Sequence, residues 1–492
     1  MSDSFDPLPW LIVLPLLWGT LAFVLGPGRG ARLAIVALVL QMLLTLQLAA
    51  QLVDAGARAY AVGGWGAPLG IDLYVDGLAG VMLLLTQAVA LPLAVYARGY
   101  FAATPKGREL FWPISGLMLA ALNALFVSAD LFNIYVTLEL LGLAAVGLVA
   151  IAGGTAPVTA ALRYLLATLL GSGAYLLGVA LIYGTYGSVS IEVLTPLIAE
   201  DALIDGGTPR AVVLAAALML LGLMLKTALF PFHFWLPPAH GGAPAPVSAL
   251  LSALVIKASF YLVVRLWLDL FEPLTTVGAA QLIGMLGAAA ILWGSWLALM
   301  QTRLKMLVAY STVAQIGYLF LLFPLATLVP YQAADSALAG GVMQAVAHGL
   351  AKAAMFAAAG SMIVATGRDD ISRLGGVGVR LPLTLFTFGL AGVTLMGLPP
   401  SGGFSAKWLL LQAALVSGQW WWIAVMIVGG LLTAAYVFKV LRRAFLPAEA
   451  GDTVTPVPRT LEFSAFALAL ASILLGLFGA PLLQLLMIGR SA

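Results

Sequence analysis

The chain has 492 residues, 62% of them hydrophobic and only 9% charged, with a mean hydropathy of +1.07. A soluble globular protein carries about 25% charged residues, so that class is excluded. The absence of cysteine excludes disulfides, cysteine-ligated iron–sulfur clusters and thiol catalysis from this chain, and a net charge of +3 spread thinly offers no nucleic-acid footprint.

In chain order, apolar runs between polar punctuation predict an all-α integral membrane protein of about fourteen transmembrane helices. The first run, Leu8 to Leu25, follows acidic rather than basic residues, which predicts a retained span and no cleavable signal. Residues 1–110 hold spans 1–3. Residues 111–268 (spans 4–8) and 277–443 (spans 9–13) are expected to form two inverted five-helix repeats. Residues 444–492 read as a cytoplasmic linker, Ala444 to Thr460 with Pro447, Pro456 and Pro458, and a last span. Span 7 is broken by Pro231, Pro237 and Pro238, and span 12 by Pro399, Pro400, Gly402 and Gly403. Paired interrupted helices in two parts of a chain mark inverted-repeat transporters. A five-span offset is expected to put Lys226 and Lys407 at equivalent positions. Trp420, Trp421 and Trp422 fit an interfacial belt.

Basic residues orient the spans. Fifteen of them, from Arg29 to Arg459 and including Arg303 and Lys305, fall in loops of one face. Arg58, Arg210, Arg265 and Arg490 fall on the other, with the acidic segment Glu192 to Asp205. The richer face is expected to be cytoplasmic, which puts both termini on the non-cytoplasmic side of the cell's inner membrane.

The four remaining cations, Lys226, Lys257, Lys352 and Lys407, lie inside apolar segments, whereas Glu139 is the acid deep within a span. A charge at mid-bilayer costs about 2.5–3.5 kcal/mol on insertion scales, and one carboxylate cannot pair with four ammonium groups. Some of the lysines must therefore be hydrated or uncharged, and a group that is stable in either form is what a proton relay needs. His348 and Lys352, four residues apart, share one helix face. The blander roles are a snorkelling Lys226, a Glu139–Lys226 pair that merely locks two helices, and a hydrogen-bonded packing histidine. His233 and His240 are secondary candidates in a loop or half-helix, at a spacing that fits no metal, and His348 is read as the deeply placed histidine. No metal site, cofactor or phosphate-cradling loop is expected, and the chain carries no redox or hydrolytic chemistry of its own.

Five motifs carry a resemblance to a known family. They are L-F-N-I-Y-V-T-L-E-L-L around Glu139; L-K-T-A-L-F-P-F-H-F-W-L-P-P-A-H-G-G-A-P-A-P-V-S from Leu225; L-V-I-K-A-S-F-Y-L-V-V-R around Lys257; Q-T-R-L-K-M-L-V-A-Y-S-T-V-A-Q-I-G-Y from Gln301; and G-L-P-P-S-G-G-F-S-A-K-W ending beside Lys407. Together they resemble the antiporter-like subunits shared by Mrp-type cation/proton antiporters, respiratory complex I and membrane-bound hydrogenases. The segment G-G-W-G-A-P-L-G-I-D-L-Y-V-D-G from Gly63 most resembles the D-type branch of the Mrp antiporter subunits. Arg303 and Pro238 stand where the family often has other residues, Asp among them.

The resemblance implies a proton-translocating subunit of a multisubunit Na⁺/H⁺ antiporter. Glu139 and Lys226 would form a modulating charge pair. Lys257 would pass protons through His348 and Lys352 towards Lys407. The alternative is the same machine as the proton-pumping subunit of a complex I-like NADH/quinone oxidoreductase or a membrane-bound hydrogenase. Either implies other membrane subunits as partners, protons and Na⁺ as cargo, and no nucleic acid. A passive scaffold and a generic solute transporter are the readings from other classes.

Overall fold

The computed structural model describes residues 5–67, 70–204, 207–448 and 453–490. Pro68 and Leu69 of the glycine-rich motif, Asp205 of the acidic segment, and 449–452 of the linker lie outside the described residues.

The chain opens with α1 (Leu8–Ala55), whose helix is interrupted at Gly26, φ 74°. Trp18 Nε1 donates to Gln41 Oε1 at 3.2 Å. Twenty-three residues of straight helix would hold these two apart by about 35 Å, so α1 is a hairpin of two arms. Gly26 adopts a backbone conformation that Pro27, which follows, cannot continue as helix. A two-stranded antiparallel ribbon follows, β1 (Arg58–Ala61) and β2 (Asp72–Val75), pairing Arg58 with Val75. Asp76 then caps α2 (Gly77–Ala103), accepting from Ala79 N at 3.0 Å.

The next elements are α3 (Arg108–Val127), α4 (Leu131–Ala150), α5 (Thr155–Tyr186), the short surface helix α6 (Ile191–Leu203), α7 (Arg210–Thr227), α8 (Leu236–Gly242) and α9 (Ala245–Leu270). Then come α10 (Val277–Met300), α11 (Leu304–Ala326), α12 (Tyr331–Thr366), α13 (Pro382–Met396), α14 (Gly402–Val416), α15 (Trp420–Phe445), α16 (Arg459–Leu477) and α17 (Ala480–Leu486).

Among the described residues, twelve helices are long and apolar enough to cross a membrane, so this is a multi-pass integral membrane protein. The count by length differs from the expected fourteen at two places. The two arms of the α1 hairpin are counted together, and α13 and α14 are each only 15 residues long. The helices α9, α11 and α12 lie in the interior, while α1, α10, α15 and α16 turn much of their surface outward.

Both breaks have one construction. The helix α7 ends at Ala228 (φ 59°) and α13 at Gly397 (φ 82°). The amide of Leu229 bonds back to Met224 O, and that of Leu398 to Val393 O, each at 3.1 Å. These are Schellman-type ends that use the helix's last free carbonyls. A cis proline peptide follows in each, Phe230–Pro231 and Pro399–Pro400. Matching Pro231 to Pro400 places Lys226 against Leu395 and Lys407 against Pro238. The expected equivalence of the two lysines is therefore corrected: Lys226 precedes its break and Lys407 follows its own.

Three further expectations change. Trp422 is buried and donates to Gln419 Oε1 at 2.9 Å, so only Trp420 and Trp421 face outward. Arg265 lies within α9, not in a loop. Lys305 is buried at the start of α11, where its amine donates to Gly241 O at 3.4 Å and also to Ala243 O.

Candidate functional site

The site begins where α4, α5 and α7 meet. Gly171 and Gly222 face each other across α5 and α7. A methyl group built on Gly171 would stand 2.8 Å from Gly222 O, and one on Gly222 would stand 2.3 Å from Gly171 O. Small residues let two membrane helices approach this closely, and that approach brings Lys226 beside Thr168. The Lys226 amine donates to Thr168 Oγ1 at 2.7 Å, with longer contacts to Leu138 O at 3.4 Å and Glu139 Oε1 at 3.5 Å. Each hydrogen bond to a charged group contributes about 1.5–3 kcal/mol. These contacts offset part of the cost of burying the amine within the membrane. Glu139 and Lys226 are together, as expected, but Thr168 supplies the shortest contact.

Lys257 lies on α9, fully buried. The helix widens into a π turn over Leu251–Val255 just before it. Such a turn leaves a carbonyl outside the regular ladder, and Ser252 O accepts from Lys257 Nζ at 2.5 Å. The hydroxyl of Ser252 meets Thr312 Oγ1 at 3.0 Å. Thr312 is on α11, next to Ser311, which accepts from Lys352 Nζ at 2.5 Å; Val308 O accepts from the same amine at 2.7 Å. Ser252 on α9 and the adjacent hydroxyls of Ser311 and Thr312 on α11 thus stand between Lys257 and Lys352.

On α12, Gln344, His348 and Lys352 stand four residues apart along one buried stripe. Neither ring nitrogen of His348 has a hydrogen-bond partner among the described residues. Gln344 Nε2 donates to Gln315 Oε1 at 3.1 Å, and Gln315 Nε2 donates to Leu395 O at 3.2 Å. Lys407 Nζ donates to that same oxygen at 2.8 Å and to Met396 O at 3.2 Å, and lies 4.1 Å from the centre of the Tyr318 ring. Leu395 and Met396 end α13, so Lys407 sits on the negative end of a helix dipole whose carbonyls are otherwise free.

The row therefore runs from Glu139 and Lys226 through Lys257, Lys352 and His348 to Lys407. Hydroxyls and amides of Ser252, Thr312, Ser311, Gln344 and Gln315 stand between Lys257, Lys352 and Lys407, groups that both donate and accept a hydrogen bond. The structure separates the secondary candidates. His233 lies in a 3-10 turn stacked on Phe230, 5.6 Å between ring centres, away from the row. His240 is fully buried, edge-on to Phe356 at 5.7 Å, with both ring nitrogens unpartnered among the described residues. This corrects the expectation that His348 alone is deeply placed. Among the described residues, no three His, Asp or Glu side chains come together as a metal site.

Sequence reasoning does not single out Thr168, Ser252, Ser311, Thr312, Gln315 or Gln344. On α11 the spacing of Ser311, Thr312 and Gln315 within an otherwise apolar helix is the signal that could have found three of them.

Known proteins share this outline. The family model described as NADH:quinone oxidoreductase/Mrp antiporter, transmembrane, matches residues 128–433. The NADH-quinone oxidoreductase subunit N of Desulforudis audaxviator is 37% identical over 84% of this chain and 80% of its own length. The D subunit of the Na⁺/H⁺ antiporter of Bacillus subtilis is 28% identical over 86% of this chain and 83% of its own length. A chain of the Mrp complex from Dietzia sp. superposes with a TM-score of 0.87 at 26% identity, covering 98% of this chain and 96% of that one.

Proposed function

Because the chain belongs to the NADH:quinone oxidoreductase/Mrp antiporter family, we propose that it is the proton-translocating, antiporter-like subunit of a multisubunit Mrp-type Na⁺/H⁺ antiporter. The observation that carries this is the set of buried amines Lys226, Lys257, Lys352 and Lys407, the last three with neutral polar side chains packed between them. The same arrangement would serve poorly as a scaffold, since four buried lysines destabilise a membrane helix bundle that needs only apolar contacts.

In this reading Glu139 and Thr168 set the charge of Lys226, and the field of Lys226 biases the proton affinity of Lys257. A proton then moves from Lys257 by way of Ser252, Thr312 and Ser311 to Lys352. From there His348, on the same face of α12, carries it towards Lys407, which Gln344 and Gln315 help to position through Leu395 O and which exchanges it with one face. The two broken helices are the fourth spans of two five-helix halves, about 111–268 and 277–443. Both termini lie on the non-cytoplasmic side, since the basic loops remain concentrated on the opposite face. Other membrane subunits hold the chain in its complex, and Na⁺ is the counter-cargo.

A second reading is favoured by the 37% identity with a subunit N: the same relay driven by an attached redox module. Mild-detergent purification from the native membrane, with mass spectrometry of the partners, separates the two. Small membrane subunits support the antiporter, and iron–sulfur or flavin subunits the redox-driven pump. In proteoliposomes holding the purified complex, Lys257→Ala should abolish proton flux while the complex still assembles. Undiminished flux in that variant rejects the relay under either reading.

A further inference from the structure

A cavity of about 700 Å³ opens on the face that carries the N-terminus, between β2, α6, α9 and the C-terminal residues. Its walls hold five carboxylates, among them Asp76, Glu192 and Asp269, against two guanidinium groups. A narrow cleft with that imbalance concentrates cations. Its floor is formed by Tyr261 and Arg265.

These two residues continue a stripe that starts at Lys257, with positions 257, 261 and 265 one helical turn apart on α9. The Arg265 guanidinium donates to Asp76 Oδ2 at 2.6 Å through Nη1 and to Asp76 Oδ1 through Nη2. Its Nε donates to the Tyr261 hydroxyl at 3.0 Å, and that hydroxyl donates to Phe126 O at 2.6 Å. Both hydrogen-bonding functions of the phenol are thus occupied. Arg265 also reaches Asp269 Oδ2 at 3.2 Å, one turn further out and more exposed.

We propose that this cavity is the aqueous mouth of a proton half-channel, and that Arg265, shared between Asp76 and Asp269, is the gate between it and Lys257. The proposal rests on the relay reading above. A proton reaching Asp76 neutralises the carboxylate that holds Arg265 inward. The guanidinium then shifts to Asp269, remaining paired throughout, and its Nε leaves the Tyr261 hydroxyl. That hydroxyl is then free to hand a proton to water entering along the stripe towards Lys257, whose amine is turned the other way onto Ser252 O, and to recover one from the cavity, so no net charge accumulates on the phenol. Loss of the proton from Asp76 draws Arg265 back.

The test uses the intact complex in proteoliposomes containing a pH-sensitive dye. Tyr261→Phe keeps the ring and its packing, and should slow proton flux by at least about tenfold. The paired change Asp76→Asn with Arg265→Gln leaves no lone buried charge. It should make the vesicles leak protons at least about tenfold faster than wild type, and adding Lys257→Ala should stop the leak. Because the chain has no cysteine, Thr195→Cys on the cavity wall reports water access independently of transport. It should react with a membrane-impermeant maleimide, with the adduct located by mass spectrometry, and Leu262→Cys at the floor should react only in the paired-change background.

A Thr195→Cys that stays unlabelled overturns the aqueous mouth. Normal flux in Tyr261→Phe, or a leak that survives Lys257→Ala, overturns the gate. If Lys257→Ala alone leaves transport intact, the relay reading has failed. If Lys257→Ala abolishes transport while the cavity variants behave as wild type, only the gate has failed. Should the paired variant not assemble, Tyr261→Phe and the Thr195→Cys labelling decide the question.

Discussion

Lys407 Nζ and Gln315 Nε2 converge on one acceptor, the carbonyl oxygen of Leu395, at 2.8 and 3.2 Å. A carbonyl oxygen has two lone pairs, so both bonds form together. The shared oxygen lies at the end of α13, where the break in the helix leaves it free. It ties the amine on α14 to the amide on α11, and through Gln344 to the stripe on α12 that carries His348 and Lys352.

Gln315→Leu removes that tie while keeping a similar volume. Lys407 retains Leu395 O and Met396 O, so its own position should change little. Gln344 loses its partner, at a cost of about 1–3 kcal/mol for an unsatisfied buried amide. The expected result is an assembled complex whose proton flux falls at least about tenfold, measured in proteoliposomes. Unaltered flux would place Gln315 outside the relay and leave it a packing residue.

Thr168→Val keeps the shape of the side chain and removes its hydroxyl. Lys226 would lose its 2.7 Å partner and rely on the longer contacts to Glu139 and Leu138. The expected loss is about 1.5–3 kcal/mol of stability, with slower transport. Thr168→Ser should restore both. Thermal unfolding of the complex and flux on the same preparation check this, and failure of serine to rescue would assign the effect to packing.

What the sequence reveals here follows the cost of each residue in lipid. Lys226, Lys257, Lys352, Lys407 and Glu139 stand out because a charge inside an apolar run requires a reason. The polar groups between them do not stand out. Thr137 and Thr227 look like Thr168 in sequence, yet their hydroxyls bond within their own helices, to Ile134 O and Leu223 O. Such local bonding is the ordinary fate of Ser and Thr in a helix. Nothing in L-S-A-L-V announces a π turn, so the carbonyl that holds Lys257 is invisible in the sequence. Arg265 and Asp76 are 189 positions apart, and only the fold brings them together. Lys305 reads as a loop residue because it falls with Arg303 in the polar stretch before an apolar run; two residues on from Arg303 its side chain turns inward, onto carbonyls at the end of α8.

The close approach of α5 and α7 predicts a sharp sensitivity to size. In Gly222→Ala the added methyl would stand 2.3 Å from Gly171 O, a contact with backbone that no side-chain rotation relieves. Overpacking of this kind costs about 1–3 kcal/mol. The helices must separate, and Lys226 should lose Thr168 as they do. Gly173→Ala, on the same α5 but in open space, should leave stability and flux unchanged. Equal behaviour of the two variants would show that the α5–α7 contact does not position the lysine.

Asp130 gives a pH dependence outside the spans. It caps α4 by accepting from Asn133 N at 2.7 Å, but burial raises its carboxyl above the usual carboxylate range, only partly opposed by the backbone amides of Asn133 and Phe132. A folded-state value above the unfolded one means that the folded state binds the proton more tightly. Its contribution therefore favours folding at acid pH and weakens as pH rises from the unfolded value through the folded one. Asp130→Asn keeps a capping oxygen and removes the charge. The variant should equal wild type in acid and exceed it in stability at neutral pH, as read from thermal unfolding across that range. A wild type more stable than the variant at neutral pH would show that the helix dipole outweighs burial at this site.

Arg303 is best judged through Asp369. The Arg303 side chain is 59% exposed, and its Nε donates to Asp369 Oδ2 at 3.0 Å. Exposed pairs contribute about 0–1 kcal/mol. Asp369 has a second role, because its Oδ1 accepts from Lys305 N at 2.9 Å in the first turn of α11. That bond satisfies a helix-end amide and fixes the turn from which the Lys305 side chain reaches Gly241 and Ala243. Arg303→Ala should thus change stability by less than about 0.5 kcal/mol, whereas Asp369→Ala should cost about 0.5–2 kcal/mol, the usual loss of a capping side chain. Asp369→Asn, which keeps the oxygen and drops the charge, should lie near wild type. Unfolding of the three variants on one scale separates capping from charge, and an Asp369→Asn as damaging as Asp369→Ala would show that the ion pair with Arg303 is the contact that matters.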